Sequence, residues 1–150
     1  MARPVAVLAL AALVAVISGC SEAESEAGFG LPTLDSEEAA AVAQSAGVPA
    51  GSVGGALAVE SNGCFTWRSD DEADGAWLVW PDDARQDGDA VVLGEGARIT
   101  DGARIAGSGA VVSLADLPDG ANADSYFGSF GGFCDADSRG ALVLLEVAPE

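Results

Sequence analysis

From Gly54 onward, apolar and polar residues alternate in short runs that Gly and Asp separate. This period of two residues is typical of half-buried β-strands. Ser61-Asn62-Gly63 stands between the first two runs and favours a tight hairpin turn. Short strands at such spacing predict a mainly β domain, built as a small antiparallel OB-like barrel or as a sandwich. The predicted strands are 56–60, 64–68, 76–80, 90–93, 97–100, 103–106, 110–114 and 141–147.

One segment before the strands has the features of a helix. Asp35 can cap its first turn, and Glu38 can reach back as in a capping box. Gly47 and Pro49 follow the segment and are typical of a helix end. The sequence therefore predicts one short N-terminal helix over 36–46, with an apolar face made mostly of alanine.

A six-residue repeat inside the β region indicates an alternative fold. Gly96-Ala97-Arg98-Ile99 recurs as Gly102-Ala103-Arg104-Ile105. The spacing resembles the hexapeptide repeat of left-handed β-helices, although a solenoid usually needs at least about three repeats. Strands that fold back at Asp101-Gly102 produce the same spacing, so the barrel is favoured and a short left-handed β-helix is the alternative. The apolar positions in this register are Leu93, Ile99, Ile105, Val111 and Leu117.

The first 20 residues have the pattern of an export signal. Arg3 precedes an apolar run from Val5 to Ile17, which is too short to cross about 30 Å of hydrocarbon, since a spanning helix takes about 20 residues. Small residues then lead to Cys20. The run Ile17-Ser18-Gly19-Cys20 resembles the lipobox of bacterial lipoproteins. That resemblance implies that residues 1–19 are removed and that Cys20 carries lipid. The alternative is an ordinary signal peptide that ends near a cysteine.

The mature chain is strongly acidic. The full chain has a formal charge of −18, with 24 acidic residues and no His, and loss of Arg3 with the signal makes it −19. Such a surface repels phosphate backbones, so a nucleic-acid partner is excluded. Membrane contact is expected through the acyl chains of Cys20, and a cation or a basic partner is the kind of ligand this charge attracts. The predicted parts are a signal over 1–19, an acidic tether over 20–34 and a single β domain over 35–150.

Cys64 and Cys134 are the pair that is left once Cys20 is acylated. In an exported protein an isolated pair most often forms a disulfide. Closing a loop of about 70 residues should stabilise the fold by roughly 4 kcal/mol through the unfolded state. The alternative is two buried thiols.

The sequence contains few of the residues that catalysis or cofactor binding usually requires. With neither His nor Lys in the chain, no serine or cysteine has its usual general base. Acidic residues are so numerous that chance alone yields carboxylate pairs of the kind glycosidases use. We therefore expect no enzyme activity, no catalytic residue and no cofactor.

Two acidic turns imitate the start of a calcium-binding loop. In the segment 135–140, Arg139 occupies a position where an oxygen ligand belongs. In the segment 70–75, Pro81 stands where the closing glutamate belongs. Ordinary turns are the preferred interpretation, so no metal ligand is assigned. Weak calcium binding at either turn stays as an alternative.

The aromatic residues have two possible roles. Exposed together, they could stack on sugars or grip a partner. We expect them in the core, because a chain this rich in alanine has few other large residues to bury. The phenylalanines of the predicted long loop 115–140 would then close one end of the barrel beside Cys134. The residues concerned are Trp67, Trp77, Trp80, Tyr126, Phe127, Phe130 and Phe133.

Four short segments carry a resemblance to known proteins. They are Asn62-Gly63-Cys64-Phe65, Leu78-Val79-Trp80-Pro81 and the segments 87–93 and 101–109, which both begin with Asp-Gly. These segments are similar to those of small secreted or lipid-anchored actinobacterial β-domain lipoproteins. The resemblance implies a β domain and an extracytoplasmic location on the cell membrane, and it assigns no catalytic residue.

The predicted function is a non-catalytic, membrane-anchored lipoprotein. It would act on the outer face as a binding or accessory module for a protein or envelope component. A solute-binding or calcium-binding lipoprotein is the alternative.

Overall fold

Nine strands and three helices make up the computed structural model, which describes residues 30–69 and 75–150. The predicted signal peptide, Cys20 and most of the predicted tether lie outside these ranges. The elements are β1 (Thr33–Leu34), α1 (Ser36–Ser45), β2 (Gly51–Val59), β3 (Phe65–Arg68), β4 (Ala76–Pro81), β5 (Arg85–Asp87), β6 (Ala90–Val92), β7 (Arg98–Ile99), β8 (Arg104–Val112), a 3₁₀ turn (Leu114–Asp116), α2 (Tyr126–Phe133), α3 (Ala136–Arg139) and β9 (Ala141–Pro149).

Five of the strands close into a barrel. Strand β8 lies beside β2, β2 beside β3, and β3 beside β4, all antiparallel, which is the Greek-key order. Strand β9 then fits between β8 and β4, and its contact with β4 is the parallel pairing of the barrel. This closed five-stranded Greek key has the OB-like form. The prediction of a mainly β chain with a small barrel and one short N-terminal helix is confirmed.

The hexapeptide alternative is wrong, because this region pairs as antiparallel strands. Val91 is opposite Ile99 in an antiparallel pairing of β6 with β7, whereas a β-helix stacks its coils in parallel. The two strands predicted at 103–106 and 110–114 are one strand, β8, whose pairing with β9 shifts register at a bulge between Ser108 and Gly109. The predicted hairpin joins β2 to β3, with Gly63 at φ +86°.

The barrel interior is filled by large side chains at alternate strand positions. Trp80 is fully buried and meets Phe65 edge-on, with 6.5 Å between ring centroids. Trp67 lies across Gly55, where an added Cβ would stand 2.5 Å from the indole nitrogen. The separate sheet of β5, β6 and β7 contributes Val91 and Ile99 to the same cluster. The expectation that the tryptophans belong to the core is confirmed.

A second core lies between the outside of the barrel and the helices. Helix α1 begins as predicted, since the Asp35 side chain accepts a hydrogen bond of 2.8 Å from the Glu38 N–H. It ends at Ser45, and the N–H groups of Gly47 and Val48 bond back to the carbonyls of Gln44 and Ala43, the Schellman arrangement. Its Ala39 packs in this outer core.

The prediction of a long loop over 115–140 is wrong, because this segment contains α2 and α3. Ser125 caps α2 by accepting a hydrogen bond from the Gly128 N–H at 2.9 Å. The helix lays Phe127 and Phe130 on Trp77, on the outer side of β4, so these phenylalanines cover the wall of the barrel rather than closing its end. Exposed Phe133 lies outside this core.

The last residues of the predicted tether already belong to the fold. Strand β1 pairs in parallel with the end of β4, placing Thr33 opposite Trp80 and Leu34 opposite Pro81. The Trp80 N–H also bonds to the Pro32 carbonyl at 2.8 Å. Thr33 and Leu34 of the predicted tether are therefore part of the sheet. In the described ranges, no helix combines the length and apolar character that a membrane crossing requires.

Candidate functional site

The disulfide joins two loops at one end of the barrel. Cys64 ends the hairpin loop between β2 and β3, and Cys134 ends α2 in the long connection from β8 to β9. Their Cα atoms are 5.7 Å apart, and both residues are buried. The predicted Cys64–Cys134 bond is confirmed. These two connections correspond to the loops that flank the binding face of OB-fold barrels, so in this chain they are covalently held together.

A carboxylate network lies beside the disulfide. Glu60 accepts hydrogen bonds from the Thr66 hydroxyl at 3.2 Å and from the Arg139 guanidinium at 3.3 Å. Arg68 approaches the same oxygen at 3.5 Å. Arg139 also pairs with Asp135 at 3.4 Å. The network connects the β2–β3 hairpin to α3. It could not be predicted from the sequence, because Glu60 and Arg139 are far apart along the chain and belong to no motif.

The network lowers the pKa of Glu60. Burial alone would raise that pKa, but the hydrogen bonds from Arg139 and Thr66 and the charges of both arginines outweigh it. The native pKa therefore lies below the ordinary value of 4.5. The resulting stabilisation is fully present above pH 4.5 and is lost as the pH falls through the lowered native pKa.

The substitution Glu60→Gln should make the free energy of unfolding less dependent on pH in the acid range. The neutral side chain keeps hydrogen-bonding capacity but loses both ion pairs, so the free energy of unfolding at pH 7 should fall by about 1 kcal/mol or less. Between pH 7 and pH 3.5 the variant should then lose less stability than the wild type. Urea denaturation at both pH values measures this. Glu95→Gln is the control, since Glu95 has no ion pair in the described chain, and equal behaviour of the two variants would contradict the prediction.

The face that OB-fold barrels use for ligands is covered in this chain. That face corresponds to the outer side of β3 and β4, where Trp77 is fully buried. Phe130 and Phe127 of α2 meet its ring edge-on, at 5.1 and 6.5 Å between centroids. Gly131 allows the close approach, because a Cβ there would stand 2.3 Å from Leu114 Cδ1 and 3.2 Å from the Trp77 ring. Helix α2 therefore occupies the usual ligand position.

Two aromatic side chains of α2 are partly exposed. Tyr126 and Phe133 are 47% and 54% exposed. The Tyr126 hydroxyl donates a hydrogen bond to the Leu31 carbonyl at 3.3 Å, and burial of part of the ring raises its pKa. The alternative of an exposed aromatic surface is thus limited to Tyr126 and Phe133, because Phe127, Phe130 and the three tryptophans are buried.

The turn at 135–140 does not have the form of a calcium loop. Asp135, at φ +61°, precedes the single turn of α3, and its carboxylate pairs with Arg139. The described residues contain no group of three or more His, Cys, Asp or Glu side chains arranged to hold a metal ion. The other acidic turn, 70–75, lies outside the described ranges except for Gly75.

A groove of about 340 Å³ opens beside β9. Strand β9 pairs with β4 only from Ala141 to Val143, after which the two strands separate and β1 takes the edge of β4. We call the resulting cleft the β9 groove. One wall is β9 itself, from Leu145 to Pro149, and the other includes Pro81, Asp83 and Leu93 to Glu95.

The β9 groove lies against a strand edge rather than a sheet face. Successive residues of a strand point to opposite faces, so a cleft over a face touches every second residue. All five residues from Leu145 to Pro149 line this cleft. On its other side the stretch from Glu146 to Pro149 pairs with β8, whereas Leu145 is skipped at the bulge. The described chain places no strand on the groove side of this stretch.

Three carboxylates surround the β9 groove without an arginine partner in the described chain. They are Asp83, Glu95 and Glu146, all exposed. The arginines that form ion pairs bind other acids, namely Glu60, Asp87, Asp135 and Glu150. These three carboxylates give the groove an acidic rim that forms no ion pair within the described residues. Sequence reasoning missed it, because the groove exists only where β9 leaves β4.

A second cleft, of about 390 Å³, lies beside the end of α1. It is lined mainly by small and apolar residues, including Ala43, Val48 and Leu145. It offers neither a charged group nor an open strand edge, so the β9 groove has the more specific chemistry.

Comparisons of the chain with protein-family models, with curated proteins and with solved structures found no significant match.

Proposed function

We propose that the protein is a non-catalytic lipoprotein, held on the outer face of the cell membrane through Cys20, that binds a protein or an envelope component. The short apolar run before Cys20 and the small residues beside it support the anchor. Two or more acyl chains on one residue are enough for stable anchoring. A chain without His or Lys supports a binding role rather than catalysis.

The β9 groove is the observation that carries the binding role. It combines an open strand edge with a cleft of about 340 Å³ and three carboxylates that have no arginine partner in the described part of the chain. The face that OB-fold barrels ordinarily use is covered by α2 and Trp77. Binding is therefore expected at the groove.

A photo-crosslinking experiment in intact cells tests both parts of the proposal. The photoreactive residue p-benzoylphenylalanine is placed at Ala148, which is exposed and lines the groove. Irradiation should yield a defined adduct in the membrane fraction, identified by mass spectrometry. Cys20→Ala should move the protein out of the membrane fraction. A Cys20→Ala protein that stays with the membrane would contradict the anchor.

The matched control places the same photoreactive residue at Ala121, which is exposed and does not line the groove. Crosslinking at Ala121 should be much weaker than at Ala148. Equal adducts at the two positions would contradict binding at the groove.

A further inference from the structure

We infer that the β9 groove binds an extended, basic peptide segment of a partner protein, which adds to the barrel as a strand beside β9. This inference rests on the proposed binding function and names its partner class. It requires a free strand edge, room for a strand and a charge that selects the peptide. The three requirements are met by separate features of the structure.

The free edge is the part of β9 beyond Val143. There β9 is paired only with β8, within the described ranges. Unpaired N–H and C=O groups on a strand edge are a template for another extended chain, and peptide-binding domains use such edges for strand addition. Main-chain hydrogen bonds supply the affinity in this mode, so the partner has to be extended.

The room for a strand comes from the separation of β9 from the opposite wall. Neighbouring strands in a sheet lie about 4.8 Å apart, and the cleft between β9 and the segment from Leu93 to Glu95 has a volume of about 340 Å³. Leu93 and Val147 are partly buried at its base. A strand in the groove would therefore place alternate side chains toward an apolar base and toward the acidic rim.

The charge of the rim selects a basic partner. Asp83 and Glu95 lie on one side and Glu146 on the other, and none has an arginine partner in the described chain. Complementary charge speeds encounter and suppresses wrong partners. A second copy of this chain is a poor occupant, because its own β9 carries Glu146 and Glu150 and its net charge is also strongly negative. Lys or Arg at alternate positions of the incoming strand fits the rim.

The test measures binding of a short basic peptide by fluorescence polarisation. The probe is a fluorescein-labelled octapeptide of alternating Lys and Thr, added to the mature full-length protein in detergent. We expect saturable binding that weakens as salt rises. The triple variant Asp83→Asn, Glu95→Gln, Glu146→Gln should weaken binding by about tenfold, since three exposed pairs are lost. An alternating Glu and Thr peptide should not bind.

Two controls separate strand addition from general attraction to an acidic protein. The first is the triple variant Glu37→Gln, Asp124→Asn, Asp137→Asn, which changes the net charge equally at exposed positions outside the groove and should alter affinity less than about twofold. The second is the same Lys-Thr peptide with alternate main-chain nitrogens methylated, which should lose binding because it cannot bond to a strand edge.

Several outcomes would overturn the inference. They are an absence of binding at millimolar peptide, equal loss of affinity in both triple variants, or full binding by the methylated peptide. Such a result together with a specific adduct from Ala148 in cells would leave the proposed binding function in place and remove strand addition. If the peptide does not bind and Ala148 also yields no specific adduct in cells, the proposed binding function is removed as well.

Discussion

Removal of the disulfide by Cys64→Ala with Cys134→Ala should lower the free energy of unfolding by about 4 kcal/mol. The bond joins residues 70 apart in sequence, and a loop of that length loses about this much entropy from the unfolded chain. Domains of this size are stable by only about 5–15 kcal/mol, so the melting temperature should fall by roughly 10–20 °C. Urea denaturation and thermal melting measure the two quantities.

Reduction provides the control for the disulfide prediction. Wild-type protein that has been reduced in denaturant should show the same loss of stability as the double variant. The double variant itself should not respond to the reductant. A double variant as stable as the oxidised wild type would contradict the prediction.

Gly128→Ala in α2 should destabilise the protein by about 3 kcal/mol. An added Cβ at residue 128 would stand 1.9 Å from the carbonyl oxygen of Asn122, which already accepts a hydrogen bond from the Ser125 N–H. That carbonyl belongs to the backbone and cannot move without disturbing the start of α2, so the methyl group acts as overpacking. Urea denaturation at pH 7 measures the loss.

Gly132→Ala is the matched control in the same helix. Nothing lies within 4 Å of a Cβ built at Gly132, and alanine favours a helix over glycine by up to about 1 kcal/mol. This variant should therefore be slightly more stable than the wild type. Destabilisation of both variants to a similar extent would show that the helix position, rather than the contact with Asn122, decides the effect.

The strands and α1 were predictable because their signals are local. Alternation of apolar residues predicts which strand positions face the core, and Asp35 and Gly47 mark the two ends of α1. Helix α2 was not predictable, since its glycines disfavour a helix in isolation and its stability comes from packing on Trp77. The sequence predicts a break between two strands at 107–109, but Gly107 lies within the single strand β8. It allows β8 and β9 to approach closely, because a Cβ there would stand 1.9 Å from the Glu146 carbonyl oxygen.

The candidate site was predictable only in its covalent part. Cys64 and Cys134 were the two cysteines left after Cys20, so counting was sufficient to pair them. The ion pair of Glu60 with Arg139 joins residues that are 79 apart, in a chain with so many acids that no pairing stands out. The β9 groove follows from the point at which β9 leaves β4, and that depends on closure of the whole barrel.

In the proposed lipid-anchored form, the pairing of β1 with β4 limits how far the barrel can lie from the membrane. Thirteen residues lead from Cys20 to Thr33, and an extended chain covers at most about 3.6 Å per residue, so an acylated Cys20 would hold the start of β1 no more than about 47 Å from the membrane surface. Pro81 pairs with Leu34 of β1 and also lines the β9 groove. In that anchored form the groove would lie near the tethered end of the barrel, and its partner would belong to a thin layer next to the bilayer.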